Sequence, residues 1–149
     1  MSLLRLSAGR FIVLCGAFAA SLTLLAPGLA IAAEPFPFDQ ELLLNAAPMR
    51  PAKRMPALTV APDGKATIDL WCKTVTARMD LTDSGFKIEP GPVPEALPEM
   101  MGNGQCTPER IQADQDLLAA LAQVTAWRKQ SGALVLEGPK TLKFRPATN

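Results

Sequence analysis

The chain has 149 residues, with 15 Lys+Arg, 14 Asp+Glu, no histidine and no tyrosine. Without histidine the commonest general base and metal ligand is missing, which excludes a Ser/His/Asp triad and a Cys/His pair. A net charge of +1 with no dense basic face argues against nucleic acid, which rewards clustered positive charge.

The first segment has the three parts of a secretory signal. Arg5 and Arg10 open it, no acidic residue precedes Glu34, and an apolar stretch runs from Phe11 to Leu25. Ala26-Pro27-Gly28 then breaks the run, and Ala30-Ile31-Ala32 offers small residues where a signal peptidase reads. The expectation is cleavage after Ala32 and a periplasmic or secreted mature chain. Pro27 interrupts a run already short for a span of ~20 residues, so the mature form is not expected to span a membrane. Cys15 follows the bulky Leu14 in mid-segment, so it is expected to leave with the signal rather than carry lipid. Removing residues 1–32 leaves 117 residues, with 13 Lys+Arg against 14 Asp+Glu and a net charge of −1. That is one domain by size.

Residues 33–56 read as a proline-rich leader followed by a first strand. Ala33 to Phe38 is expected to lie against the surface or stay loose. Leu42, Leu43 and Leu44 suggest a strand within Glu41–Ala47, although three leucines alone leave helix open. Pro48, Pro51 and Pro56 forbid long regular structure, and Arg50, Lys53 and Arg54 around Pro51 read as a solvated loop.

The main domain is expected over residues 57–146. Ala57 to Ala61 is a short strand, and Asp63-Gly64 supplies a hairpin turn. Thr67, Asp69 and Trp71 alternate with Ile68, Leu70 and Cys72, which places Trp71 off the core face, exposed or covered by a helix. Val75, Ala77, Met79 and Leu81 share one face of the next strand. Asp83-Ser84-Gly85 turns the chain again into Phe86–Glu89, completing a meander. Pro90 to Gln105, with four prolines and three glycines, reads as a loop.

Thr107-Pro108-Glu109 starts a helix with a hydroxyl cap, a proline at the first turn and a carboxylate at the positive end. Leu117, Leu118, Leu121 and Val124, joined by Ile111 and Trp127, give its apolar stripe. Arg128 and Lys129 suit its C-terminal end, and Gly132 is expected to stop it. Leu134–Glu137 and Leu142–Arg145 form a closing hairpin across Gly138-Pro139. The sum is an α+β domain: a curved antiparallel sheet with one main packed helix.

Cys72 and Cys106 are the two cysteines left after cleavage, and in an oxidising compartment they are expected to pair. Zinc is poorly supported, because there is no histidine and no C-x-x-C clip. No metal or cofactor is assigned. Ser84 and Ser131 are more simply turn residues than members of a serine–lysine dyad. Asp69 and Asp80 are the best-placed carboxylates for glycosidase-like hydrolysis, although solvated strand positions are much the simpler explanation of both. No catalytic residue is assigned, and the chain is expected not to be an enzyme. Trp71, Met79, Met100 and Met101 are the candidate surface for a small apolar ligand or a partner, since adaptable methionines occur at such sites and still more often in cores.

From about Ala57 to Phe144 the chain resembles the META domain family, to which the heat-shock protein HslJ belongs. The likeness rests on the order of elements: a strand, an Asp63-Gly64 turn, and a strand ending in Cys72. Another strand and turn, Cys106, the helix DLLAALAQVTAW and the pair ALVLEG and TLKFRP follow. The family's usual glycine-glycine-cysteine-asparagine is replaced here by Leu70-Trp71-Cys72-Lys73. Its second cysteine motif is lengthened to Met101-Gly102-Asn103-Gly104-Gln105-Cys106. The resemblance implies a small, partly open β-barrel with a packed helix, similar to secretin pilot proteins that bind lipid or a partner peptide. It also implies a structural Cys72–Cys106 disulfide and a non-enzymatic envelope protein that acts by binding, in stress or antibiotic tolerance. A carrier or sensor of a small, lipid-like ligand is the alternative. The identity of any protein partner is not implied.

Overall fold

The computed structural model describes residues 34–50 and 54–148, so the expected signal segment, Cys15 included, lies outside the described residues. The elements run β1 (Leu42–Leu44), β2 (Ala57–Val60), β3 (Lys65–Asp69), β4 (Thr74–Leu81), β5 (Phe86–Pro90), α1 (Pro98–Gly102), α2 (Pro108–Ala122), β6 (Ala126–Gln130), β7 (Ala133–Glu137) and β8 (Leu142–Pro146).

All eight strands join one antiparallel sheet in the order β5-β4-β3-β2-β1-β8-β7-β6. The two edges of that sheet meet. Gly85 bridges Ala126, the Phe86 N–H donates to Thr125 O at 3.0 Å, and the Trp127 N–H donates to Ser84 O at 3.0 Å. The expected curved sheet is therefore a nearly closed barrel, which removes most of the unpaired strand edge. β1 pairs with β2 on one side and β8 on the other. The segment grouped with the leader thus supplies the strand that joins the two halves of the barrel.

Strand alternation builds the core as the sequence requires. Ala66 and Ile68 of β3, Val75 and Met79 of β4, and Phe86 and Ile88 of β5 point inward, with polar neighbours outward. The inner faces meet Leu117, Leu118 and Leu121 of α2. Two turns depend on glycine. Gly64 has φ +80, and a Cβ there would lie 2.6 Å from Met79 O, whose own N–H donates to Gly64 O at 2.7 Å. Ser131 and Gly132, both with positive φ, form the two-residue turn between β6 and β7, the twist that suits tight hairpins.

Four expectations are corrected. Helix α2 ends at Ala122, and Trp127, Arg128 and Lys129 belong to β6, not to a helix terminus. The Thr125 N–H donates to Glu137 O at 2.9 Å, so pairing with β7 overrides a helical pattern that would have continued to Gly132. The segment expected as pure loop contains the single turn α1, started by Pro98. The leader is not loose, because Phe36 is buried and its ring packs on Phe38, Phe86 and Trp127. Trp71, finally, is not on a strand, because β3 stops at Asp69; of its two expected surroundings the structure has the helix, with Trp71 5% exposed and bonded through its backbone to α2.

Candidate functional site

The segment from Leu70 to Lys73 connects β3 to β4 and is held by side chains of α2. Asp114 accepts the Trp71 N–H at 2.8 Å and the Cys72 N–H at 3.2 Å. Arg110, one helical turn earlier, donates to Trp71 O and, at 2.6 Å, to Gln105 O. Both polar groups of the Trp71 backbone are thus satisfied by α2. Arg110 and Asp114 are fully buried, where a charge without partners is costly. Burial pushes the Asp114 carboxyl above its ordinary 3.8, opposed by the amide bonds from Trp71 and Cys72. Arg110 Nε is the one buried side-chain polar atom without a partner among the described residues. Cys72 is joined to Cys106 with a Cα–Cα distance of 5.0 Å, so a covalent link and a polar clamp tie the same two segments. Thr107 caps α2 through Arg110 N, which fixes where the Arg110 side chain starts.

This clamp was missed in the sequence. Its one sign is spacing: Arg110 and Asp114 precede Leu117, Leu118 and Leu121 at intervals that place all five on one helix face. Charged residues on an apolar stripe point to buried polar work.

Two concavities flank the clamped segment. One, about 340 Å³, lies where β1, α2 and the β7–β8 turn meet Trp71. Leu44, Trp71, Leu117 and Leu142 form its apolar lining, while Asn45, Asp116, Lys140 and Lys143 supply polar groups. The other, about 350 Å³, lies over the disulfide between Arg54, Lys73 and the β5–α2 connection, with Leu97 and Met100 as its apolar part. That connection also carries the large apolar side chains that are exposed among the described residues: Val93, Leu97 at 58% and Met101. None of the residues of α1 is buried, yet the segment is fixed at its far end, where the Cys106 N–H donates to Met100 O at 2.8 Å.

The four candidate surface residues do not form one site. Met79 is a core residue of β4, 4% exposed, which removes it from any surface. Trp71 lines the first cavity, Met100 the second, and Met101 stands in solvent. Asp69 and Asp80 are not brought together either. Asp69 lies opposite Thr74 in the β3–β4 register, and Asp80 lies six residues further along β4, roughly 20 Å away at ~3.3 Å per residue. Paired glycosidase carboxylates sit within ~10 Å. Asp69 instead pairs with Arg54 and accepts from Thr74 Oγ1 at 2.6 Å, so the basic residue expected in a solvated loop is tied to the sheet.

A small, nearly closed antiparallel barrel, flanked by one long helix and stapled where that helix begins, defines the class of protein. The family model of the META domain matches residues 40–149; the chain belongs to the META domain family. That match takes in β1 as well as the expected main domain. No curated protein and no solved structure matched the chain.

Proposed function

We propose that this chain is an exported META domain that acts by binding a protein partner in the cell envelope, in the response to envelope stress, and not by catalysis. The observation that carries the reading is the β5–α2 connection. It displays Val93, Leu97 and Met101 to solvent on a segment anchored by a disulfide and a buried clamp. Anchored apolar side chains meet a partner without first being ordered, which lowers the entropic cost of association. Arg54, paired with Asp69, Lys73 and Glu95 border the same groove and give it a mixed polar rim. The export reading rests on the N-terminal pattern and agrees with a disulfide, which persists in oxidising compartments.

The test is site-specific photo-crosslinking in the native compartment, with the photoreactive residue at Leu97 and, as a control, at Lys87 on the outer face of β5. The expected result is one discrete adduct from position 97, lost when Met101→Glu is added, and none from position 87. Equal adducts from both positions, or none from position 97, refute the reading.

A further inference from the structure

The cavity beside Trp71 is separate from the connection that carries the proposed partner surface. It is bounded by the end of β1, the middle of α2 and the residues entering β8. Its volume, about 340 Å³, falls at the lower end of the range ligand sites occupy, about 300–1,000 Å³. That size suits a small molecule and not a long-chain lipid.

Its walls are chemically divided. Leu44, Trp71, Leu117 and Leu142 are each buried by more than nine tenths, so the apolar wall is part of the packed core and is held in place before any ligand arrives. Trp71 is further fixed by the bonds its backbone makes to Asp114 and Arg110. Lys140 and Lys143 also border the cavity and are exposed. Neither lysine makes an ion pair among the described residues. The one acid lining the cavity, Asp116, already accepts from Gln112 Nε2 at 2.9 Å. A preformed apolar wall bordered by two lysines against one carboxylate, a net positive border, fits a ligand with an apolar body and an anionic head.

We infer that this cavity is a binding site for small anionic amphiphiles of the carboxylate class, the apolar body against Trp71 and the head toward Lys140 and Lys143. The inference does not depend on the partner surface, and the cations select the charge of the ligand while the wall selects its apolar part.

The experiment is a titration of the disulfide-bonded mature chain, followed by two-dimensional amide NMR, with octanoate and with octan-1-ol as the uncharged control. Expected are shifts of the Trp71 indole and of the Leu117, Leu142 and Lys143 amides with octanoate, at an affinity several-fold above that for octanol. Lys140→Gln with Lys143→Gln, both exposed positions, is expected to weaken octanoate roughly five- to tenfold and leave octanol unchanged. Ala113→Phe, on the α2 wall, is expected to abolish both while the spectrum stays dispersed. Absence of shifts around Trp71 at millimolar octanoate overturns the site. Equal affinity for octanol, or an unaffected lysine double variant, overturns the anionic class. Leu97→Glu with Met101→Glu is expected to leave octanoate binding intact, so failure of the partner surface and failure of this site read out separately.

Discussion

Replacing Asp114 by alanine tests the polar clamp directly. The substitution strands the Trp71 and Cys72 amides, which Asp114 accepts at 2.8 and 3.2 Å in a site where both residues are buried. An unsatisfied buried donor costs about 1–3 kcal/mol. Two donors therefore cost about 3 kcal/mol, at the low-middle of twice that range. For a domain of this size 1 kcal/mol moves the melting temperature by about 4 °C, so Asp114→Ala is expected to melt roughly 10–15 °C below the parent. Asp114→Asn keeps one acceptor oxygen and is expected to lose about half as much. The assay is thermal unfolding by circular dichroism under oxidising conditions, with the disulfide intact in all three proteins. An Asp114→Ala variant melting within about 2 °C of the parent would show that these amides find water instead, and the clamp would be refuted.

Reduction of the Cys72–Cys106 bond, or Cys72→Ser with Cys106→Ser, opens a loop spanning a separation of 34 residues, for which the chain-entropy relation gives about 3.5–4 kcal/mol; urea midpoints with and without reductant measure it. Phe36→Ala empties a space among Phe38, Phe86 and Trp127 and is expected to cost about 3 kcal/mol, whereas a merely surface-laid leader would show almost no change in the same midpoints. The pH dependence has a definite sign: the folded state holds the Asp114 proton more tightly than the unfolded chain, because burial raises its pKa above 3.8. The parent should therefore gain stability relative to Asp114→Asn as pH falls through the raised value, with the gain complete below the ordinary one. A parent that loses ground to the asparagine variant on acidification would contradict the assignment.

The sequence disclosed what local rules control. Period-two alternation marked β3, β4 and β5, Asp63-Gly64 and Asp83-Ser84-Gly85 marked their turns, and Thr107-Pro108 marked the first turn of α2. What it hid was decided by distant parts of the chain. From Val124 to Trp127 an apolar helical spacing continues, and only pairing with β7 and with the β4–β5 turn makes Ala126 and Trp127 part of a strand; the Ser131-Gly132 turn was the local hint. Phe36 looked like a leader residue because nothing in a proline-spaced hexapeptide shows that a barrel end lies open to receive it. Alternation was carried to Trp71 past the point where β3 ends, so its strand placement fails while its cover by a helix holds: α2 lies against it. As for the site, Cys72 and Cys106 were legible from their number and the export pattern. The two cavities were not, because each is assembled from at least three segments far apart in sequence.

The disulfide and the clamp act on the same short segments, which raises the question of whether they are redundant. In the chain-entropy account a disulfide acts on the unfolded ensemble, and its loss would then simply add to the loss of Asp114. A restraint acting within the folded state behaves differently. With Cys72 and Cys106 joined, the Trp71–Cys72 turn stays near α2 even after Asp114 is gone, and with Asp114 present the turn stays there after reduction. Each single loss is cushioned by the other restraint, so the combined loss should exceed the sum of the two by about 1 kcal/mol, within the range found for residues sharing one structural unit. A double-mutant cycle of Asp114→Ala with the cysteine pair, read by urea unfolding, measures that excess. Additivity within about 0.5 kcal/mol would mean that the clamp secures only α2 and the disulfide only the unfolded chain. An excess would mean that the base of the β5–α2 connection is held twice over, by a covalent bond that reductant removes and by a polar clamp that it leaves in place.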